Sequence, residues 1–388
     1  MLVLISDAFF LASLLGLLVV LVEHASVVRH MREVAPRPKG RPGISILKPL
    51  CGIDDDLEAN LAVFVALDYP NYELLLGVRS VEDGAYPIAC AVAQRWPRIA
   101  RVIVQRGEPG LNAKVNQLLT LEADARHEIV LVSDSNVQVD PGYLWEIAAH
   151  LEDPEIALVT HPIVGMGEQR IGSLFDRLHL ASLVSPGMIA GKRIMNQDFV
   201  VGKSMAMRRA DLRALGGFES VKDILAEDYL LGRRISTVLG KQVRVGHMPV
   251  INVSHQQGLM DFCLRYARWN IIQRSFVGRV VFGSQILLNP FLLALVAALA
   301  RPSGPRFGLL VAIAGVKSLG DALSRRVQEG RALQLAHVLV TPAKDLAVGF
   351  SWGYAMLRST VTWRGKKLRV LQGTQIAPDV KPRESELH

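Results

Sequence analysis

Ile129-Val130-Leu131-Val132-Ser133-Asp134-Ser135-Asn136-Val137 is the stretch from which the fold can be read. Ile129 to Val132 is a short apolar run rich in β-branched residues, closed by a polar cluster, so it reads as a buried strand ending where the backbone meets solvent. In open parallel sheets, ligands bind at the carboxyl ends of such strands. Asp134 stands at that end, and Asn136 returns to the same side if the chain stays extended. A carboxylate and an amide oxygen are hard ligands suited to Mg²⁺ or Mn²⁺ beside a diphosphate. The same Asp-Ser-Asn composition also makes an ordinary strand-end turn.

Working outward, the flanking chain alternates. Ile44 to Leu47 is a strand closed by Pro49, and Leu57, Leu61, Phe64 and Val65 recur at helical period after Asp54-Asp55-Asp56. Tyr72 to Val78 is the next strand, Pro87 to Trp96 a helix and Arg101 to Val104 a strand. Asn112 is placed to cap a helix that continues through Leu118 to Ala123. Pro141 to Leu151 and Ile156 to Thr160 add another helix and strand. This alternation predicts an α/β fold with a doubly wound sheet. Neither a Gly-x-Gly-x-x-Gly after the first strand nor a Walker A loop is present. Ile171 to Ile189 shows no clear period. Phe199 to Met207 reads as a strand or strand pair interrupted at Gly202.

The ends of the chain are apolar. Half of the 388 residues are hydrophobic, and mean hydropathy is positive. Residues 1–24 read as an uncleaved transmembrane anchor, followed by a basic juxtamembrane linker over 25–42 containing Arg29, Arg32, Arg37, Lys39 and Arg41. Such a flank stays cytoplasmic, which places residues 43–278 in the cytoplasm. Val280 to Ala300 holds no charged residue over 21 positions, with Asn289-Pro290 as a point of kinking. Phe307 to Val316 and Leu333 to Leu357 continue a membrane region over 279–360, as three crossings or a re-entrant arrangement, before a polar tail over 361–388. A net charge of +8 fits a face apposed to anionic lipid better than a nucleic-acid partner. Cys51, Cys90 and Cys263 are odd in number and unclustered, which argues against a disulfide framework or zinc site built from cysteines.

Three further stretches hold candidate chemistry. Lys114, in the punctuated loop Gly107 to Gln117, can approach phosphate or simply face solvent. Glu227-Asp228 opens a helix, where two acids favour the dipole without further function, or where one faces a cleft as a general base. Arg265 and Arg268 share a helical face beside Trp269, as a phosphate fork or as a basic interfacial helix.

Ile46-Leu47-Lys48-Pro49-Leu50, Leu67-Asp68-Tyr69-Pro70-Asn71-Tyr72-Glu73, Asn112-Ala113-Lys114, Ser133-Asp134-Ser135, Ala226-Glu227-Asp228-Tyr229 and Arg265-Tyr266-Ala267-Arg268-Trp269 occur in that order. As an ordered set over about Gly43 to Phe276 the chain resembles the ceramide glucosyltransferase family, membrane-bound inverting glycosyltransferases with a GT-A domain. The resemblance implies a GT-A-like nucleotide-sugar-binding domain between membrane helices. It implies that Asp83 lies near the nucleotide, that Asp134 supports a metal-bound diphosphate, and that Asp228 is the base. It sets Arg265, Arg268 and Trp269 near the diphosphate and the acceptor. Asn136 departs from a strict Asp-x-Asp pattern, so Mg²⁺ or Mn²⁺ would rest mainly on Asp134 and phosphate oxygens.

The implied reaction moves glucose from UDP-glucose to ceramide. UDP-N-acetylglucosamine-dependent hopanoid glycosylation is a rival, since related bacterial enzymes use a similar domain, and the compact loops fit a multi-pass protein of a bacterial inner membrane. A processive polysaccharide synthase fits less well, because Arg265 stands where such synthases carry Gln and the membrane part is small for polymer export. A degenerate scaffold or transporter is the non-enzymatic reading.

Overall fold

The computed structural model describes residues 2–363 and 366–379. Helix α1 (Leu2–Met31) leads into the α/β domain. There β1 (Ile44–Pro49), α2 (Leu57–Val65), β2 (Tyr72–Val78), α3 (Ala85–Arg95), β3 (Ala100–Val104), α4 (Ala113–Asp124) and β4 (Ile129–Val132) alternate as the sequence predicts. A two-residue strand β5 (Val137–Gln138), α5 (Tyr143–Leu151), β6 (Ile156–Thr160), β7 (Ile163–Met166), α6 (Ile171–His179), α7 (Ser185–Met195), β8 (Met205–Arg208), α8 (Arg209–Ala214), α9 (Glu227–Leu239), β9 (Gln242–Val245) and β10 (Val250–Val253) complete it.

The main sheet has the order β3-β2-β1-β4-β8-β6-β9. Strands β3, β2, β1 and β4 run parallel, and β8 runs antiparallel between β4 and β6. Both faces are covered, which explains the unbroken apolar runs. Ile44, Ile46, Leu74 and Leu76 turn to one core with Leu61, Phe64 and Ile147, whereas Leu47 and Leu75 turn to the other with Leu118, Leu121, Phe218 and Ile235. The chain leaves β3 and crosses past β1 to β4, so strand order reverses between β1 and β4. A crevice opens at their carboxyl ends.

The unplaced stretch Ile171 to Ile189 is α6, one π-helical turn over Leu180–Val184, and the start of α7. The interruption at Gly202 is a tight turn in which Val201 pairs with Ser204 before β8.

The apolar regions depart from the sequence reading in four places. First, α1 runs to Met31, so the front of the expected linker, with Arg29, is helix. Second, Val280 to Ala300 kinks at Asn289-Pro290 as read, but far enough to break the segment in two: α10 (Leu259–Ser284) ends in a 3₁₀ turn, and α11 (Pro290–Ala300) departs at 82°. Pro290 has no N–H to continue the earlier helix. Asn289 instead accepts from Leu292 N at 3.1 Å and donates to Asp345 O at 2.7 Å.

Third, α12 (Gly304–Glu329) extends far beyond Phe307 to Val316 and, with α1, is long and apolar enough to cross a membrane. These two helices run in the same direction, with Asp7 beside Arg306 and His24 beside Asp321. In contrast, both ends of α13 (Leu335–Leu357) stay with the catalytic domain: His337 lies 3.4 Å from Glu168, and Arg274 donates to Arg358 O at 2.8 Å.

Fourth, the expected polar tail begins as a three-stranded sheet of β11 (Thr360–Trp363), β12 (Lys366–Val370) and β13 (Ile376–Pro378). It folds against the entry to α9, where Leu225 N donates to Thr374 O at 2.9 Å and Ile376 N to Asp223 O at 3.0 Å. The part of the tail from residue 380 lies outside the described residues.

Candidate active site

The crevice is built from strand ends and helix starts. Asp134 follows β4, and its two carboxylate oxygens meet two different ammonium groups: Lys114 Nζ at 3.0 Å and Lys203 Nζ at 3.1 Å. Lys114 enters on the first turn of α4, whose N-terminus Asn112 caps by accepting from Lys114 N at 3.0 Å and Val115 N at 3.1 Å. That cap confirms the sequence-level assignment of Asn112. Lys114 Nζ also lies 3.2 Å from Glu227 and donates to Gly202 O at 3.1 Å. Burial works against its charge, but Asp134, Glu227 and Asp228 together hold the Lys114 ammonium well above the usual lysine range. The same pairing with Lys114 and Lys203 outweighs burial at Asp134 and holds its carboxyl well below the usual carboxylate range.

Asp228 begins α9 on the far side of Lys114. Its oxygens accept from Gly202 N at 2.6 Å and Tyr229 N at 2.8 Å. Burial, then the neighbouring Glu227 charge, push its carboxyl up from 3.8 to about 6, although Lys114 pulls the other way. Of the Glu227-Asp228 pair, Glu227 is the more buried and is fastened by Asn112 and Lys114, leaving Asp228 partly open. A side chain at Gly202 would press on both groups: a Cβ would lie 2.9 Å from both Asp228 Oδ2 and Lys114 Nζ, so one or both would have to shift.

Asn136 is tied to the opposite wall. Its oxygen accepts from Lys203 Nζ at 2.7 Å, while its amide donates to Asn252 Oδ1 at 3.0 Å and Val253 O at 3.2 Å. Asn252 in turn donates to buried Asp176 at 2.9 Å, and Asp176 receives Arg265 at 3.2 Å and Tyr266 Oη at 2.7 Å. A continuous polar chain thus joins the Asp134 motif to the Arg265–Trp269 motif. Arg265 stacks over the Trp269 ring at 5.4 Å from its centroid.

Arg268 is different. It is half-buried and makes no hydrogen bond or ion pair with the described residues, and burial followed by the Arg265 charge lowers its guanidinium to about 10. A guanidinium is chemically suited to receive an anion.

Asp83 lies farther along the same sheet edge. Its carboxylate accepts from Gly52 N at 2.8 Å and Ala85 N at 2.9 Å, stapling the loops after β1 and β2. The structure therefore gathers Lys114, Asp134, Asn136, Asp228 and Arg265 into one network, sets Arg268 and Trp269 at its border, and keeps Asp83 on the same edge without direct contact.

Four participants carried no assigned role from sequence. Lys48 is fully buried, sits 3.6 Å over the Phe64 ring and donates to Asp134 O at 2.6 Å, which fixes the end of β4. Lys203 bridges Asp134 and Asn136. Asp176 and Asn252 form the link to α10. The only local sign of Lys203 was the Gly-Lys-Ser break in a strand pattern; Asp176 and Asn252 had none.

A strand-end carboxylate in a parallel sheet crevice, a second perturbed carboxylate across a lysine, and an arginine joined to them by a polar chain define a glycosyltransferase of the GT-A type. The model of glycosyl transferase family 21 matches residues 8–376, and the chain belongs to that family. It is 25% identical over 351 residues to ceramide glucosyltransferase 3 of Caenorhabditis elegans, covering 87% of this chain and 74% of that protein. It is 29% identical over 273 residues to ceramide glucosyltransferase 1 of the same organism, and 32% identical over 205 residues to the ceramide glucosyltransferase of Komagataella phaffii. The matched part spans 58% and 40% of those two proteins and 68% and 47% of this chain. Among solved structures, a mannosyltransferase from Pyrobaculum calidifontis in complex with GDP-Man and Mn²⁺ superposes with a TM-score of 0.51 at 19% identity, over 92% of this chain and 97% of that one. That likeness supports the shared fold.

Proposed function

We propose that this glycosyltransferase moves glucose from UDP-glucose to the primary hydroxyl of ceramide with inversion at the anomeric carbon. The observation that carries the site assignment is the placement of Asp228 across Lys114 from Asp134, with a carboxyl raised to about 6. A carboxylate with a pKa near the operating pH is suited to take a proton from an alcohol. Family membership and the ceramide glucosyltransferase relatives support the choice of donor and acceptor.

In this reading Asp228 accepts the hydroxyl proton as the acceptor oxygen forms its bond to the anomeric carbon. The bond from that carbon to the diphosphate oxygen breaks, and the nucleoside diphosphate leaves with the electron pair. Arg268 and Arg265 meet the leaving charge, Lys114 keeps Asp134 ionised, and Asp83 stands at the nucleotide end of the edge. Trp269 packs Arg265 in place.

Asp134 and Asn136 offer only oxygen ligands, which fits Mg²⁺ or Mn²⁺. The Lys203 ammonium engages the same oxygens, so metal and Lys203 compete for them. When bound, the cation supplies charge neutralisation to the donor diphosphate.

The catalytic domain faces the cytoplasm in this proposal. The domain-side ends of α1 and α12 and the chain just beyond them carry Arg29, Arg32, Arg37, Lys39, Arg41, Arg325, Arg326 and Arg331, against Arg301 and Arg306 at the other end, which follows the positive-inside pattern. The cleft then lies beside the leaflet that holds a lipid alcohol.

The test is mass spectrometry of lipids after full-length protein is incubated with Mg²⁺ or Mn²⁺, a panel of UDP-sugars, and ceramide and hopanoid acceptors. One hexose on ceramide is the expected product. N-acetylhexosamine on the hopanoid alone would replace the substrate pair while keeping the residue roles.

A further inference from the structure

A second polar cluster lies where the foot of α1 meets the catalytic domain. It holds His30 and Glu33 from the end of α1 and just beyond, Glu146 and His150 one turn apart on α5, His161 after β6, and His247 after β9. Glu146 is only 1% exposed and forms the centre. Its Oε1 accepts from His247 N at 2.6 Å and lies 2.8 Å from His247 Nδ1, while Oε2 accepts from Met248 N at 3.1 Å. His150 Nε2 lies 3.6 Å from Oε1 and His161 Nε2 3.4 Å from Oε2.

Neither of those two buried nitrogens makes a hydrogen bond, and His161 is completely enclosed. Leaving a buried polar atom without a partner is costly, so two imidazole nitrogens aimed at one carboxylate call for a shared partner. Only a residue without a side chain fits beside this pair. Gly246 passes so close that a Cβ there would lie 2.4 Å from His161 Nε2 and 3.2 Å from Glu146 Oε2.

We propose that Glu146, His150 and His247 bind one Zn²⁺, with His161 Nε2 as the fourth ligand. The first three present ligand atoms that all lie within 4.8 Å of one another. Two imidazoles and a carboxylate, completed by a third imidazole, are a zinc donor set, and tetrahedral coordination places ligand atoms about 3.3 Å apart. The 3.4 and 3.6 Å separations match that edge, and His247 Nδ1, at 2.8 Å from Glu146 Oε1, lies inside it. Mg²⁺ and Ca²⁺ favour all-oxygen sites and suit this one poorly.

The outer groups support the ligands. His161 Nδ1 bonds Ser204 Oγ at 2.7 Å, and His247 Nε2 faces Glu33 Oε2 at 3.6 Å. Glu33 is itself held by Arg193 at 2.7 Å, and the His30 ring stacks on His247 at 4.6 Å. Carboxylates behind ligating histidines orient the rings and raise their basicity. Because Glu33 follows α1 directly, the ion would clasp the membrane helix to the catalytic domain. Ser204 adjoins Lys203, so the clasp also braces the turn that faces Asp134.

The experiment uses full-length protein in detergent, stripped with chelator and titrated with Zn²⁺, with Co²⁺ as an optical reporter. One equivalent of Zn²⁺ should bind, and Co²⁺ should give the visible absorption of a tetrahedral site. H150Q and H247Q should each lose about 10²-fold or more in Zn²⁺ affinity, since each removes a ligand, and Glu33→Gln about tenfold, the lower end of outer-partner effects. Asp134→Ala should keep the full equivalent, which separates this ion from any metal in the cleft. Substoichiometric Zn²⁺ in the wild type, or equal Zn²⁺ in the H150Q/H247Q double variant, overturns the proposal. Loss of the ion in Asp134→Ala alone also overturns it.

Discussion

Two buried ionic clusters in this molecule are built from the same residue types and serve opposite ends. Among α1, α12 and α13, Lys317 and Lys344 meet Asp321 and Asp345 at 2.6 to 3.3 Å, with His24 alongside, and the side chains of these four charged residues are at most 6% exposed. Two cations balance two anions, so this group closes on itself and fixes helix packing. In the cleft, Lys114 and Lys203 share Asp134, whose side chain is 29% exposed, while Arg268 pairs with no acid among the described residues. Exposure and an unmatched cation leave that cluster able to exchange partners with a diphosphate. Charge alone does not mark a site; charge left open to exchange does.

Asp228→Asn should break the comparison most sharply. It removes the base without changing volume, and turnover should fall by about 10²–10⁴-fold while donor binding, followed by calorimetry, is retained. Near-normal turnover of that variant would remove Asp228 from the proposed role.

Asp321→Asn strikes the closed cluster instead. Removing one partner of a buried ionic group costs about 3–5 kcal/mol, so the thermal midpoint in detergent should drop steeply. Replacing Lys317, Asp321, Lys344 and Asp345 together by apolar residues of similar size should recover much of that loss. Single and combined variants of equal stability would show that the group does not hold the helices.

Gly202→Ala probes the space between Asp228 and Lys114. A displacement of about 1 Å in a reacting group can cost about 10²-fold, and kcat should fall by up to that amount with the thermal midpoint nearly unchanged. A wild-type kcat would show that the cleft adjusts around the methyl group.

Lys203→Met should sharpen the account of the cleft with a smaller effect. Removing the competing ammonium frees oxygens of Asp134 and Asn136, and the Mg²⁺ or Mn²⁺ concentration for half-maximal rate should fall roughly tenfold, the worth of one charged hydrogen bond. An unchanged metal requirement would separate Lys203 from the ion. The pH profile adds a sign check. The base works only when ionised, so kcat/KM should fall as pH drops through about 6, where the structure holds the Asp228 carboxyl, rather than near 3.8. A limb near 3.8 would indicate that Asp228 is not the titrating group.

The elements of the catalytic domain were legible where burial is periodic in the chain itself. Tyr72–Val78, Ile129–Val132 and Ile156–Thr160 have the limits read from sequence, because strands covered on both faces are continuous apolar runs. Asn112 was legible because capping is a contact over two or three residues. Asp134 was legible because strand ends carry ligands in such sheets. The bend at Asn289-Pro290 was foreshadowed by its proline, yet its angle depends on the hydrogen bond from Asn289 to Asp345. The small sheet after α13 was not legible, since Thr360–Trp363 and Lys366–Val370 are polar on one face and short.

By itself, then, the sequence determined the α/β alternation and the apolar ends, which rest on periodicity, and it marked Asp134 as a candidate from its strand-end position and Asp228 and the Arg265–Trp269 motif as candidates through the family resemblance. Only the tertiary structure decided which charges meet. Lys203 reaches Asp134 across 69 positions of sequence, and Asn252 reaches Asp176 across 76. The reason is physical: local patterning fixes which face of an element is buried, whereas the partner of a polar side chain is set by strand order and helix docking, and these bring distant segments into hydrogen-bond range only when the whole sheet is assembled.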